Sequence, residues 1–210
     1  MRENEDWGME IERQQYEQEN KMGLMVKKPE NNFELAPEGN HVAICYQVID
    51  LGFQKSVWNG QENFKHKVFM NFELCNELME SGKPFSVGAR FTLSLHEKAE
   101  LRKSLESWRG RKFTDQELEG FDLFNILGKP CMVNVQHSEG YANIMTIAQI
   151  PKGLQTPDRV NPLLSYSLQE PNKNRDKLPE WALNKINFET QDYEPPQTEN
   201  PRDEYPDVPF

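Results

Sequence analysis

A run of apolar residues long enough to cross a membrane, roughly 18, is missing from this sequence. So is the apolar core of a signal peptide, because the first twenty residues read MRENEDWGMEIERQQYEQEN. These absences give the expectation of a cytoplasmic protein with no membrane partner. Cysteine is scarce: Cys45, Cys75 and Cys131 are odd in number, widely separated and in no CxxC pair, which argues against a disulfide framework or a zinc knuckle. They read as small buried apolar residues. The four histidines, His41, His66, His96 and His137, have no zinc spacing, and there is neither a Gly-rich phosphate loop nor a GxSxG motif. The expectation is therefore a binding protein, not an enzyme, with no metal or cofactor.

Apolar residues are also few, at 36% of 210, so part of the chain should be unpacked. Ten of the fourteen prolines lie between Pro151 and Pro209, which marks the sequence beyond TIAQIPKG as linker or tail. One exception is LPEWALNKI, where Pro179 precedes apolar Trp181, Leu183 and Ile186; a short docking helix or transient structure would both suit it. The divisions that follow are a polar N-terminal arm over 1–26, a domain over 27–153 and a proline-rich, acidic, flexible tail over 154–210.

The formal charge of -10 counts against a nucleic-acid partner until its distribution is considered. Residues 1–26 contribute -4 and residues 186–210 contribute -6, which leaves 27–185 neutral. Bases cluster within that neutral centre, most densely in KAELRKSLESWRGRK.

Between residues 40 and 150 the hydrophobic pattern has a definite order. HVAICYQVIDLG alternates, with Val42, Ile44, Tyr46 and Val48 on one face; NFKHKVFMNFEL follows with Phe64, His66, Val68, Met70, Phe72 and Leu74; KPFSVGARFTLSL places Phe85, Val87, Ala89, Phe91 and Leu93 inward. The period then changes. Ser94 and Glu97 suggest a capping box, and Leu101, Leu105 and Trp108 recur on one helical face up to Gly110. A second box, Thr114 with Glu117, opens one short turn, and two more alternating segments follow, KPCMVNVQH and YANIMTIAQI. Three strands, a helix and two strands are the order of a five-stranded OB barrel with its helix between strands three and four. The expected fold is thus mainly β, an OB barrel with flexible tails.

Such barrels bind extended oligonucleotides across their second and third strands. Here the outward face of the second strand carries Lys65, Lys67, Phe69 and Asn71, and that of the third carries Arg90. The polar loop GFQKSVWNGQEN adds Phe53, Lys55 and Trp58, and the last loop adds Tyr141. Lysines suit phosphates and aromatic rings suit stacked bases, so Phe53, Lys55, Trp58, Lys65, Lys67, Phe69, Arg90 and Tyr141 form the candidate DNA-binding set. Plainer readings stand beside this one. Phe53 and Trp58 could plug a barrel end, Lys65 and Lys67 could be an ordinary solvated face, and Phe69 could be covered by the N-terminal arm or the Trp181 segment. The basic helix reads as a solvated face.

The chain ends in DEYPDVPF, acids before an apolar tip. This resembles the C-terminal tip of bacterial single-stranded DNA-binding proteins, several aspartates and then Ile-Pro-Phe, with Val208 in place of isoleucine and a tyrosine and a proline interrupting the acids. The likeness implies a partner-binding segment of Asp203, Glu204, Asp207, Val208, Pro209 and Phe210, in which Phe210 fills a pocket and the carboxylates meet basic groups at its rim. CYQVIDLG, SLHEKAELRKSLESWRGRKFT and LGKPCMVNVQHSEGYANI resemble a family of bacteriophage single-stranded DNA-binding proteins with an OB fold, over about residues 35–153. That resemblance implies sequence-independent binding of single-stranded DNA, a role in phage DNA replication or recombination in an infected bacterial host, and recruitment of replication or recombination proteins by the tip. The alternative is an OB module that binds a protein or structured RNA. Self-association is compatible with the sequence and not specified by it.

Overall fold

The computed structural model describes residues 34–189 apart from Asn59. The arm over 1–26 and the chain from 190 onward, including the acidic tip, lie outside the described residues.

Strand β1 (Gly39–Trp58) and strand β2 (Gln61–Leu78) form one long antiparallel hairpin. Their register closes at Trp58 opposite Gln61, across a two-residue connection, Asn59-Gly60, in which Gly60 has φ 76°. Asn-Gly favours such connections because the hairpin turns that match strand twist need positive φ. The expected polar loop GFQKSVWNGQEN is therefore corrected: ladder pairing continues through it almost to its tip.

The first strand also departs from simple alternation. Pairing shifts between Cys45 and Gln47 and again between Asp50 and Gly52, two β-bulges. One extra residue reverses the inward parity. Ala43 and Cys45 belong to the main core before the first bulge and Val48 after it, while Tyr46, expected inward, stands at the bulge. Its hydroxyl accepts from Asn71 Nδ2 at 2.7 Å. Farther along, Ile49 and Leu51 face a second apolar cluster.

Strand β2 keeps the expected parity, with Val68, Met70, Phe72 and Leu74 all buried. In strand β3 (Pro84–Thr92) Val87 is buried, Phe85 and Phe91 are partly so, and Leu93 just beyond the strand is exposed. Helix α1 (Glu100–Arg109) buries Leu101, Leu105 and Trp108, and Gly110 closes it at φ 67°. It begins later than Ser94 and Glu97 suggest: Ala99 is the N-cap, and Ser94 Oγ instead accepts from His96 N in a local turn. The Thr114–Glu117 box is formed, capping helix α2 (Asp115–Glu119). Strands β4 (Pro130–Ser138) and β5 (Tyr141–Ala148) complete the main sheet.

The hydrogen-bonded order is β3-β2-β1-β4-β5. The fold is mainly β, and the helix does fall between the third and fourth strands. The barrel, however, is not closed: among the described residues β3 and β5 share no ladder, so the sheet is open. Closure requires the two end strands to pair edge to edge. Here helix α1 packs against both β3 and β5, and a cleft lies between them.

Order does not end near Ile150, as the proline content suggests. Strand β6 (Leu164–Tyr166) adds a sixth, parallel partner to β1 at Gln47–Ile49. Helix α3 (Glu180–Glu189) follows directly after Pro179. Leu164, Tyr166, Leu178, Ala182 and Ile186 pack with Ile49 and Leu51 into the second core. The connecting strap is held by Glu73, 1% exposed, whose carboxylate accepts from Val160 N at 2.6 Å and from Asn161 N and Nδ2, both at 2.7 Å. Prolines interrupt regular structure here without preventing burial. The domain boundary expected at 153 is thus corrected, since residues 164–186 form part of the fold.

Two of the three cysteines, Cys45 and Cys131, behave as the small core residues expected, and Cys75 does not. Cys45 and Cys131 are fully buried and Cys75 half-buried, all as free thiols. Burial pushes the Cys45 thiol up to about 12 and Cys75 to about 11.

Candidate nucleic-acid interface

On the outward face of β2 and β3 the register sets Phe69 opposite Arg90, Asn71 opposite Gly88, and Lys67 opposite Thr92. Gly88 has a specific task at this point. A Cβ built on it would lie 2.2 Å from Phe69 Cζ, so only glycine lets the Phe69 ring lie across the neighbouring strand. From the other side Trp181 of α3 meets that ring at 4.7 Å between centroids and 73° between planes. Arg90 places its guanidinium carbon 5.5 Å from the Trp181 ring centre. The three form a connected surface cluster with cation–π and edge-to-face contacts.

Phe69 and Arg90 line a cleft of about 810 Å³ between β3, β5 and α1. Across it stand Tyr141 and Met145, exposed at 69% and 57%. Glu100 is its acidic member, and Lys103 Nζ lies 2.7 Å from that carboxylate.

A second, smaller cleft of about 220 Å³ lies along the hairpin and is lined by Phe53, Phe64, Lys65, His66, Thr92 and Leu93. Phe53 and His66 are 4.9 Å apart between ring centres. His66 Nε2 is 2.6 Å from Asp50 Oδ1, which also accepts from Gly52 N, while Asp50 Oδ2 accepts from Leu168 N. Burial alone would raise the Asp50 carboxyl, but these partners outweigh it and hold the group below its ordinary value.

The predicted set therefore divides. Phe69, Arg90 and Tyr141 converge on the large cleft; Phe53 and Lys65 line the small one; Lys67 lies between them on β2. Lys67 Nζ donates to Thr92 Oγ1 at 2.8 Å, and its ammonium is held below the ordinary lysine value by burial and then by repulsion from Lys65. Among the described residues neither lysine is ion-paired, so two like charges sit side by side at the edge of the clefts. Lys55 does not join them: it is bound to Glu62 of the adjacent strand. Trp58 terminates β1, and its side chain lies outside what the structure describes. Of the plainer readings for this set, contact between Phe69 and the Trp181 segment is found, and it leaves Phe69 half-buried and still lining the large cleft.

Four bases of the helix and of the turn after it are ion-paired. Arg102 pairs with Glu106 at 3.0 Å, Lys103 with Glu100, and Arg109 and Arg111 with Glu117. Hydrogen bonding from Arg111 first, then from Thr114 N and Arg109, keeps Glu117 far below the usual carboxylate range. Arg109 also stacks over Phe113 at 4.4 Å. Three carboxylates thus take up much of the charge density that the sequence shows here, and the reading of a solvated helix face fits.

Two residues of the surface cluster carry weak sequence signals. Trp181 sits beside the spacing of four, Leu178, Ala182 and Ile186, that carries the inward face of its segment, and that offset marks it as a residue at the helix edge. Gly88 is the one glycine in the third strand, a position where a glycine signals close approach of another group. No protein-family model matches this chain, and no curated protein matches it in sequence.

Proposed function

We propose that the protein binds single-stranded DNA without sequence preference, across the outward face of β2 and β3 and into the cleft that separates β3 from β5. The observation that carries this reading is the convergence of Phe69, Arg90 and Tyr141 on one open cleft, with Lys65 and Lys67, neither of them ion-paired among the described residues, on the strand that leads to it. Rings exposed on a sheet can stack on any base, and lysines beside them neutralise phosphates without reading sequence. The element order and the position of the helix suit an opened relative of the OB barrel. Together with the likeness of three segments to phage single-stranded DNA-binding proteins, they support a role in coating DNA during phage replication or recombination in the cytoplasm of an infected bacterium. The tip DEYPDVPF would recruit partner enzymes through Phe210 and its flanking acids.

A gel-shift titration of the full chain with oligo-dT, a mixed-sequence single strand and a duplex of that sequence tests the reading. Both single strands should shift at similar protein concentrations, and the duplex only at concentrations at least tenfold higher. Preference for duplex, or no shift with either single strand, overturns it. For the tip, a pull-down of bacterial replication proteins should succeed with the full chain and fail after deletion of DEYPDVPF; equal capture by both would show that the tip is not the recruiting element.

A further inference from the structure

The C-terminal segment contributes a ring to the same surface. We propose that Trp181 is a fixed stacking wall of the single-strand site, so that residues 164–186 build part of the interface and are not a linker beyond it; this rests on the reading above. Helix α3 is anchored: Ala182 is fully buried, Ile186 is 4% exposed, and both belong to a core that includes Tyr166 at 1%. A helix held by those contacts does not swing away easily, so the ring it carries keeps its place. Trp181 itself stands outside that core and is 37% exposed. Its edge-to-face contact with Phe69 uses part of the ring, and Arg90 lies over it at 5.5 Å. A partly exposed tryptophan fixed beside a phenylalanine and an arginine, at the edge of a cleft that ends in Tyr141, is the arrangement that stacks consecutive bases while the guanidinium meets a phosphate or a further base. The second core thereby acquires a purpose in binding: it holds this ring against the outward face of β2.

The test compares Trp181→Ala and Trp181→Phe in the full chain, each titrated with oligo-dT by fluorescence anisotropy and each checked by thermal melting. Loss of a stacking ring should weaken binding by about tenfold in Trp181→Ala, and Trp181→Phe should recover most of it. Intrinsic tryptophan emission should be quenched by oligo-dT in the wild type and quenched less in Trp181→Phe, a change that a purely structural role would not produce. If Trp181→Ala binds oligo-dT as well as wild type, or tighter, Trp181 is a bystander or a cover over Phe69, and the inference is overturned. Should Trp181→Ala lose its fold, the quenching difference between wild type and Trp181→Phe decides alone. Failure of the wild type to bind oligo-dT would instead strike the broader reading, so the two failures are distinguishable.

Discussion

Gly88 shows how much one missing Cβ can determine. The strand position needs no unusual backbone angle, and what excludes a larger residue is the Phe69 ring across it. In Gly88→Ala the methyl would force that ring aside. Because the obstructing atoms are the end of a side chain that can rotate, the stability cost should fall at the low end of the ~1–3 kcal/mol typical of overpacking. Binding should suffer more: affinity for oligo-dT should drop to the level of Phe69→Ala, about 1–3 kcal/mol below wild type. Chemical denaturation and anisotropy on the two variants give both numbers. A Gly88→Ala protein with unchanged affinity would show that the placement of Phe69 is irrelevant to DNA. This pair was only half legible in the sequence. Alternation sets Phe69, Arg90 and Gly88 on the outward face, but it does not show that one ring crosses to the next strand, or that Trp181, more than a hundred residues later, arrives beside it.

Among the elements, the β1–β2 hairpin is where sequence reading and structure diverge most. The inward sets of β2 and of helix α1 are legible because alternation and the three-to-four spacing run unbroken there. Strand β1 is less so, because bulges at Tyr46 and near Gly52 reverse its parity twice, and a polar stretch hides its continuation to Trp58. Asn59-Gly60 was the available signal for that continuation. The second bulge also creates a junction. Asp50 ties Gly52 N, His66 and Leu168 N together, linking β1, β2 and the segment after β6. Its folded-state value is depressed below the ordinary 3.8, so the unfolded chain binds the proton more readily. The junction should therefore stabilise the fold fully above about pH 4 and lose that contribution as acid takes the pH down through the lower folded value. Asp50→Asn should lower stability at pH 7 by about 2 kcal/mol, since it replaces a charged acceptor of buried donors. The gap to wild type should narrow as pH falls from 5 to 2. A gap that is constant across that range in urea melts would contradict the assignment.

At the scale of the whole molecule, two apolar clusters share the β1–β2 framework. The main core fills the space between the sheet and α1, and the second fixes β6 and α3 against the far side of β1. Composition hid the second core, because prolines and polar residues dominate the C-terminal segment and the apolar residues it adds to Ile49 and Leu51 are few, Leu164 and Tyr166 of a three-residue strand, Leu178, and Ala182 and Ile186 of one helix. The open seam was hidden for a different reason: element order predicts which strands neighbour one another, but not whether the end strands meet. That seam gives the sheet a cleft where a sealed barrel would have a ladder, and its walls come from β2, β3, β5 and α1. The claim that single strands occupy this face is tested most directly by photochemical crosslinking of bound oligo-dT to the full chain, followed by mapping of the crosslinked peptides. Crosslinks should fall at Phe69, Tyr141 and Trp181. Crosslinks confined to the α1 surface around Arg102 and Lys103, or to segments with no residue of the β2–β3 face and its cleft, would contradict it.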